Sequence, residues 1–107
     1  MKKISSLICL ILVLAFSGIA QQKKINVLVF SHTVGFRHNS ISSGIKMISE
    51  LAQERGWIMT ATEDPKLFTP EFLVNFDVVV FLSPTQDVLN DQQQKNFEGK
   101  VLFHFKP

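Results

Sequence analysis

Three short runs of apolar residues after residue 20 predict strands. Residues 25–30 (INVLVF) and 77–82 (DVVVFL) are continuous and rich in β-branched side chains, which is typical of strands buried on both faces of a parallel sheet. Residues 57–62 (WIMTAT) predict a third, less apolar strand. A fourth candidate strand is formed by residues 101–103 (VLF), close to the C-terminus.

Segments with helical spacing separate these strands. Ile41, Ile45, Ile48 and Ala52 recur at intervals of four, three and four residues, which predicts a helix from Asn39 or Ser40 to Arg55, with Gly56 as its stop. A short second helix is expected to begin at Thr69-Pro70 and to end near Phe76. A third is expected from Asn90, capped by Gln93, to about Glu98, with Gly99 after it.

The resulting order β-α-β-α-β-α-(β) predicts a doubly wound α/β fold with a parallel sheet and right-handed crossovers. Trp57 and the ten phenylalanines are assigned to the core by default. The strand interiors and the helix stripe predict further core positions: Val27, Val29, Ile41, Ile45, Ile48, Leu51, Val78, Val80 and Leu82.

The N-terminal 20 residues have the three parts of a secretory signal peptide. Lys2 and Lys3 precede an uncharged apolar stretch, and Gly18 and Ala20 supply small residues before Gln21. We expect a cleaved signal at residues 1–20, a mature domain at residues 21–107, and a secreted or periplasmic location. An uncleaved membrane anchor is the alternative.

Cleavage would change the charge and the chemistry of the chain. The full sequence carries 11 basic and 9 acidic residues, and the loss of Lys2 and Lys3 leaves nine of each. A neutral mature chain has no basic field for nucleic acid or for a membrane surface, so we expect neither as a partner. The only cysteine, Cys9, would also be lost, which removes any disulfide or cysteine nucleophile.

Two polar segments follow predicted strands, where open α/β sheets bind ligands. They are residues 31–40 (SHTVGFRHNS) and residues 83–87 (SPTQD). Neither contains a glycine-rich phosphate motif or the G-x-S-x-G nucleophile elbow. The ligand-binding candidates in these segments are His32, Thr33, Arg37, His38, Ser83, Thr85 and Asp87.

Several of these residue types allow more than one role. His32 and His38, with Asp87, are weak metal-ligand candidates, because their spacing matches no standard signature and loop histidines are usually hydrogen-bonding groups. Arg37 suits either a clamp on an anionic group or an ion pair. Glu63-Asp64 suits general acid–base chemistry, although Asp64 before Pro65 favours a turn.

Three blocks resemble the ThuA-like (trehalose utilisation) family. They are VLVFSHTVGFRHNSI (27–41), ATEDP with the nearby FT (61–65 and 68–69), and DVVVFLSPTQDVLNDQQ (77–93), in the family's order and spacing. The resemblance implies a flavodoxin-like, class I glutamine amidotransferase-like fold and a link to the use of trehalose or a related carbohydrate. It also implies a secreted bacterial protein. It implies no glutaminase activity, because the mature chain has no cysteine; the family's reaction, catalytic residues and cofactor are left open.

The chain also departs from the family pattern. Gln86 stands where the family usually has glycine, and Pro84 where it usually has threonine. The pattern is lost after residue 97, so we expect only the N-terminal part of a C-terminally truncated ThuA-like domain. The hypotheses are therefore a secreted protein that binds or processes a small carbohydrate at the strand ends, a non-catalytic interaction module, or a non-functional truncated remnant.

Overall fold

The computed structural model describes the backbone of residues 22–104 and the side chains of residues 22–100. The strands are β1 (Asn26–Phe30), β2 (Ile58–Thr62) and β3 (Val78–Phe81). The helices are α1 (Ser40–Arg55), α2 (Pro70–Leu73) and α3 (Asp91–His104), with a 3₁₀ turn at Pro65–Leu67.

The three strands form one parallel sheet in the order β2-β1-β3. β1 pairs along its whole length with β2, from Asn26 opposite Ile58 to Phe30 opposite Thr62, and also pairs with β3. The chain moves to one side of β1 and then crosses to the other, so right-handed crossovers place α1 and α2 on opposite faces. This arrangement confirms the predicted α/β fold.

The predicted starts of the three helices and the end of α1 are confirmed, whereas α2 ends at Leu73, before the expected Phe76, and α3 continues past the expected Glu98. α1 ends at Gly56, whose φ of 70° is left-handed and whose N–H bonds back to the helix. Before α3, the Asn90 side chain accepts from the Gln93 N–H at 2.9 Å and the Gln93 side chain accepts from the Asn90 N–H at 2.8 Å, which is a reciprocal capping box. Asn39, by contrast, makes no side-chain cap on α1.

The main core lies on the face of the sheet that carries α2 and α3. Phe30 and Phe68 are fully buried, and their ring centroids are 4.5 Å apart. The buried members of this cluster are Leu28, Phe30, Phe68, Leu73, Phe76 and Leu89. Val27 and Val29 alternate with Leu28 and Phe30 and therefore point to the opposite face, where α1 buries Ile41 and Ala52.

Part of the predicted core is wrong. Leu51 is 37% exposed and Val78 is 44% exposed, and Ile45, Ile48, Val80 and Leu82 are only partly buried. Within the described residues β3 pairs with β1 alone, so its second edge and part of its faces remain exposed. Two of the phenylalanines assigned to the core are also exposed, Phe36 at 71% and Phe81 at 36%.

The predicted strand at residues 101–103 is also wrong, because α3 continues through Gly99 to His104. Glycine weakens a helix interior by about 1 kcal/mol relative to alanine, which is too little to end a helix held by other contacts. One such contact is Lys100, whose ammonium donates to the carbonyl oxygens of Leu73 and Phe76 at the end of α2. Burial lowers the pKa of Lys100, while the charge of Asp77 acts in the opposite direction.

The predicted signal peptide at residues 1–20, with its cleavage site before Gln21, lies outside the described residues. Among residues 22–104, no helix is both long and apolar enough to cross a membrane.

Replacing Phe68 tests the core assignment. Phe68→Ala should lower the free energy of unfolding by about 3–5 kcal/mol, because it removes a fully buried ring from the cluster. Val74→Ala is the control, since Val74 is 74% exposed, and it should change stability by no more than about 0.5 kcal/mol. Urea denaturation of both variants measures the difference, and equal losses would contradict the assignment.

Asp77 gives a second, pH-dependent test of the fold. Its Oδ2 accepts the Asn26 N–H at 2.9 Å, and Lys23 Nζ lies 3.5 Å from its Oδ1. The Asn26 hydrogen bond and then the charge of Lys23 hold the pKa of Asp77 below its ordinary value of 3.8, although burial acts against them.

A carboxyl with a lowered pKa stabilises the fold above its unfolded value and loses that contribution as the pH falls through its folded value. Asp77→Asn should therefore be less stable than the wild type at neutral pH, and the difference should shrink as the pH falls below 3.8. Denaturant titrations across this range measure it, with the exposed Glu54→Gln as control. A difference that does not vary with pH would contradict this account.

Candidate functional site

The loops that follow β1 and β3 lie side by side at the C-terminal edge of the sheet. Thr33 and Thr85 form a parallel bridge that extends the β1–β3 pairing beyond the strands, and the Val34 N–H donates to the Thr85 carbonyl at 3.2 Å. The Thr85 hydroxyl donates to the Phe36 carbonyl at 3.1 Å. The structure therefore brings together the two polar segments singled out in the sequence.

An ion pair between Arg37 and Glu63 connects the loop after β2 to the loop after β1 at this edge. Arg37 Nη2 lies 2.8 Å from Glu63 Oε1, and Arg37 Nε donates to the same oxygen at 3.0 Å. Both side chains are about half exposed, so the pair contributes little to stability, but it neutralises the charge of Arg37. Asp64, the neighbour of Glu63, accepts the Lys66 N–H at 2.9 Å and caps the 3₁₀ turn, which confirms the turn interpretation.

The loop after β3 contains two residues in the left-handed region. Ser83 has a φ of 47° and Gln86 a φ of 60°, a conformation that costs side chains other than glycine roughly 1–2 kcal/mol. Gln86 occupies the position where glycine is usual in the resembling family. Its side chain packs over Gly35, where an added Cβ would lie 2.7 Å from the Gln86 Nε2.

The two candidate histidines contact different aromatic rings. His32 is partly buried, with its ring centroid 6.1 Å from that of Phe30. His38 is exposed and meets Phe36 edge-to-face at 5.1 Å and 83°. No three His, Cys, Asp or Glu side chains form a metal-ligand group in the part of the chain that the structure describes.

Ser31, the first residue after β1, is 1% exposed, and its hydroxyl has no hydrogen-bond partner. A buried hydroxyl without a partner costs about 1–3 kcal/mol. Its N–H is satisfied by the Thr62 carbonyl at 3.1 Å. Ser31 therefore places a buried hydroxyl without a hydrogen-bond partner directly after the central strand.

Two of the cavities among the described residues are formed by α3 and lie outside these contacts. Asp87 belongs to an open cleft of about 580 Å³ along the first turn of α3, together with Leu89, Asn90, Asp91, Gln92 and Gln94. A second cavity, of about 370 Å³, lies between α2 and α3 and is lined by Pro70, Leu73, Val74, Lys95, Asn96, Gly99 and Lys100.

Sequence reasoning missed the contributions of Phe36, Gln86 and Ser31. The default assignment of phenylalanines to the core does not predict the exposure of Phe36, and no motif in the sequence singles out Ser31. Gln86 did carry a signal, because it replaces the glycine that the resembling family usually has. A glycine at that position is itself a sign of positive φ.

The parallel 2-1-3 sheet and the polar loops at its C-terminal edge define a flavodoxin-like α/β domain with a candidate strand-end ligand site. The model of the ThuA family, described as trehalose utilisation, matches residues 26–103. The chain therefore belongs to the ThuA family, a glutamine amidotransferase-like family. No significant match was found among curated proteins or among solved structures.

Substitutions at position 86 test the strained loop. Gln86→Gly and Gln86→Ala both remove the side chain, but only glycine adopts a φ of 60° without steric cost. The glycine variant should be more stable than the alanine variant by about 1 kcal/mol. Thermal or urea unfolding measures the difference, and an alanine variant of equal or higher stability would contradict the backbone assignment.

Proposed function

We propose that this chain is an exported ThuA-family protein that binds a neutral carbohydrate of the trehalose type at the C-terminal edge of its sheet. Family membership supports the link to trehalose utilisation, and the N-terminal pattern of residues 1–20 supports export. The proposal concerns binding and assigns no reaction.

The observation that carries the proposal is the bridge between Thr33 and Thr85. It holds the two polar loops at a fixed spacing, with hydroxyl and amide groups on both loops and imidazole groups on the loop after β1. Sugar hydroxyls both donate and accept hydrogen bonds, so they match a surface that carries both kinds of group.

The charge distribution supports a neutral ligand over an anionic one. Apart from the histidines, Arg37 is the one basic side chain of the two loops, residues 31–40 and 83–87. Its guanidinium is already paired with Glu63, with Nη2 2.8 Å from Oε1. An anion that took the Nε and Nη2 donors of Arg37 would displace Glu63 and leave that carboxylate without its partner. A neutral disaccharide can bind to the exposed edges of both side chains without separating them.

Calorimetric titration of the purified protein with trehalose tests the proposal. We expect saturable binding, and we expect His38→Ala and Arg37→Ala each to weaken it about tenfold through the loss of a ligand hydrogen bond. Lys46→Ala is the matched control, because Lys46 pairs with Glu50 on the exposed face of α1. It should bind as the wild type does.

A phosphorylated disaccharide serves as the charge comparison and should bind no more tightly than trehalose. The absence of saturable binding for every neutral disaccharide would overturn the proposal and favour the interaction-module hypothesis. Binding that is unchanged in both the His38 and Arg37 variants would place the sugar elsewhere on the chain.

A further inference from the structure

Phe36 is an aromatic side chain exposed to solvent in the loop that follows β1. It is 71% exposed, whereas Phe30 and Phe68 are fully buried. Val34, two residues earlier on the same loop, is 54% exposed. The loop thus presents an apolar surface although it is flanked by hydrogen-bonding side chains.

One contact to the ring and two contacts to the neighbouring backbone restrict Phe36. The Phe36 carbonyl accepts from the Thr85 hydroxyl at 3.1 Å, which attaches its backbone to the neighbouring loop. The His38 imidazole meets the ring at a centroid distance of 5.1 Å and nearly at right angles. On the preceding residue, Gly35, the Gln86 side chain fills the space where a Cβ would stand. A ring ordered before binding loses less conformational entropy when a ligand arrives.

We propose that Phe36 is the platform on which one sugar ring of the ligand stacks. The C–H face of a pyranose covers the phenyl ring, and the hydroxyls at the rim of the sugar reach the polar groups of the two loops. This inference rests on the proposed carbohydrate function and deepens it, because it names the residue that recognises the apolar face of the sugar.

The size of the surface favours a sugar over a protein partner. An aromatic side chain offers about 150–250 Å², whereas a standard protein interface buries about 800 Å² on each partner. One phenyl ring is close in area to one pyranose ring. The surrounding mixture of donors and acceptors suits hydroxyls, and the charge of Arg37 on the same loop is paired with Glu63.

Three substitutions at position 36 test the platform by calorimetry with trehalose. Phe36→Ala should weaken binding by at least about tenfold, and Phe36→Leu should weaken it nearly as much, because leucine is apolar but not planar. Phe36→Trp should bind as well as the wild type or more tightly. The indole at position 36 should also show a saturable change in fluorescence with trehalose, and the wild type, which contains only Trp57, is its blank.

The unfolding midpoints of the three variants should match that of the wild type, because the side chain is exposed. Thr85→Val removes the hydroxyl that holds the Phe36 carbonyl and should weaken binding, whereas Thr85→Ser should preserve it.

The outcomes separate the inference from the function on which it rests. A wild type that binds no neutral disaccharide overturns both. A wild type that binds trehalose while Phe36→Ala binds it equally well overturns the platform alone, as does a Phe36→Trp variant as weak as the alanine variant. A concentration-dependent dimer of the wild type that Phe36→Ala abolishes would assign the ring to a contact between copies and would also overturn the platform.

Discussion

The central position of β1 is the constraint on which the rest of the structure depends. It supplies backbone hydrogen bonds to both neighbouring strands, and four of its five residues are buried. Its alternating side chains divide the protein into two layers: Leu28 and Phe30 face the phenylalanine cluster, and Val27 and Val29 face α1. Because both neighbours are parallel to β1, all three strands end at the same edge.

The candidate site follows directly from that shared edge. The pairing of β1 with β3 continues into the Thr33–Thr85 bridge, so the position of the loops is set by the sheet. Arg37 and Glu63 then connect the loop of β1 to that of β2. The left-handed Ser83 and Gln86 and the unpartnered hydroxyl of Ser31 all lie in these loops. Strained backbone and unused buried polar groups tend to collect at functional sites, where the surrounding structure holds them in place.

Local patterns predicted the elements well, because strands, caps and helix stops depend on neighbouring residues. The bounds of β1, the end of α1 at Gly56 and the Asn90–Gln93 capping box are examples. Features that depend on tertiary contacts, such as the length of α3, were harder to predict. Lys100 holds the end of α2 from a position 24 residues after Phe76, so the continuation of α3 through Gly99 has no local signal.

The same distinction applies to the site. Both polar segments were identified, because each directly follows a strand. The partner of Arg37 lies 26 residues away, so spacing alone left its role open between a ligand clamp and an ion pair. The exposure of Phe36 was not predicted because phenylalanine is usually buried.

We propose that the polar loops at the C-terminal edge of the sheet form a carbohydrate site. The most direct test is a nuclear magnetic resonance titration of the ¹⁵N-labelled protein with trehalose. The account predicts saturable amide shift changes concentrated in residues 31–38 and 83–87. Changes confined to the cavity between α2 and α3, around Val74 and Lys95, or no changes at any sugar concentration, would contradict it.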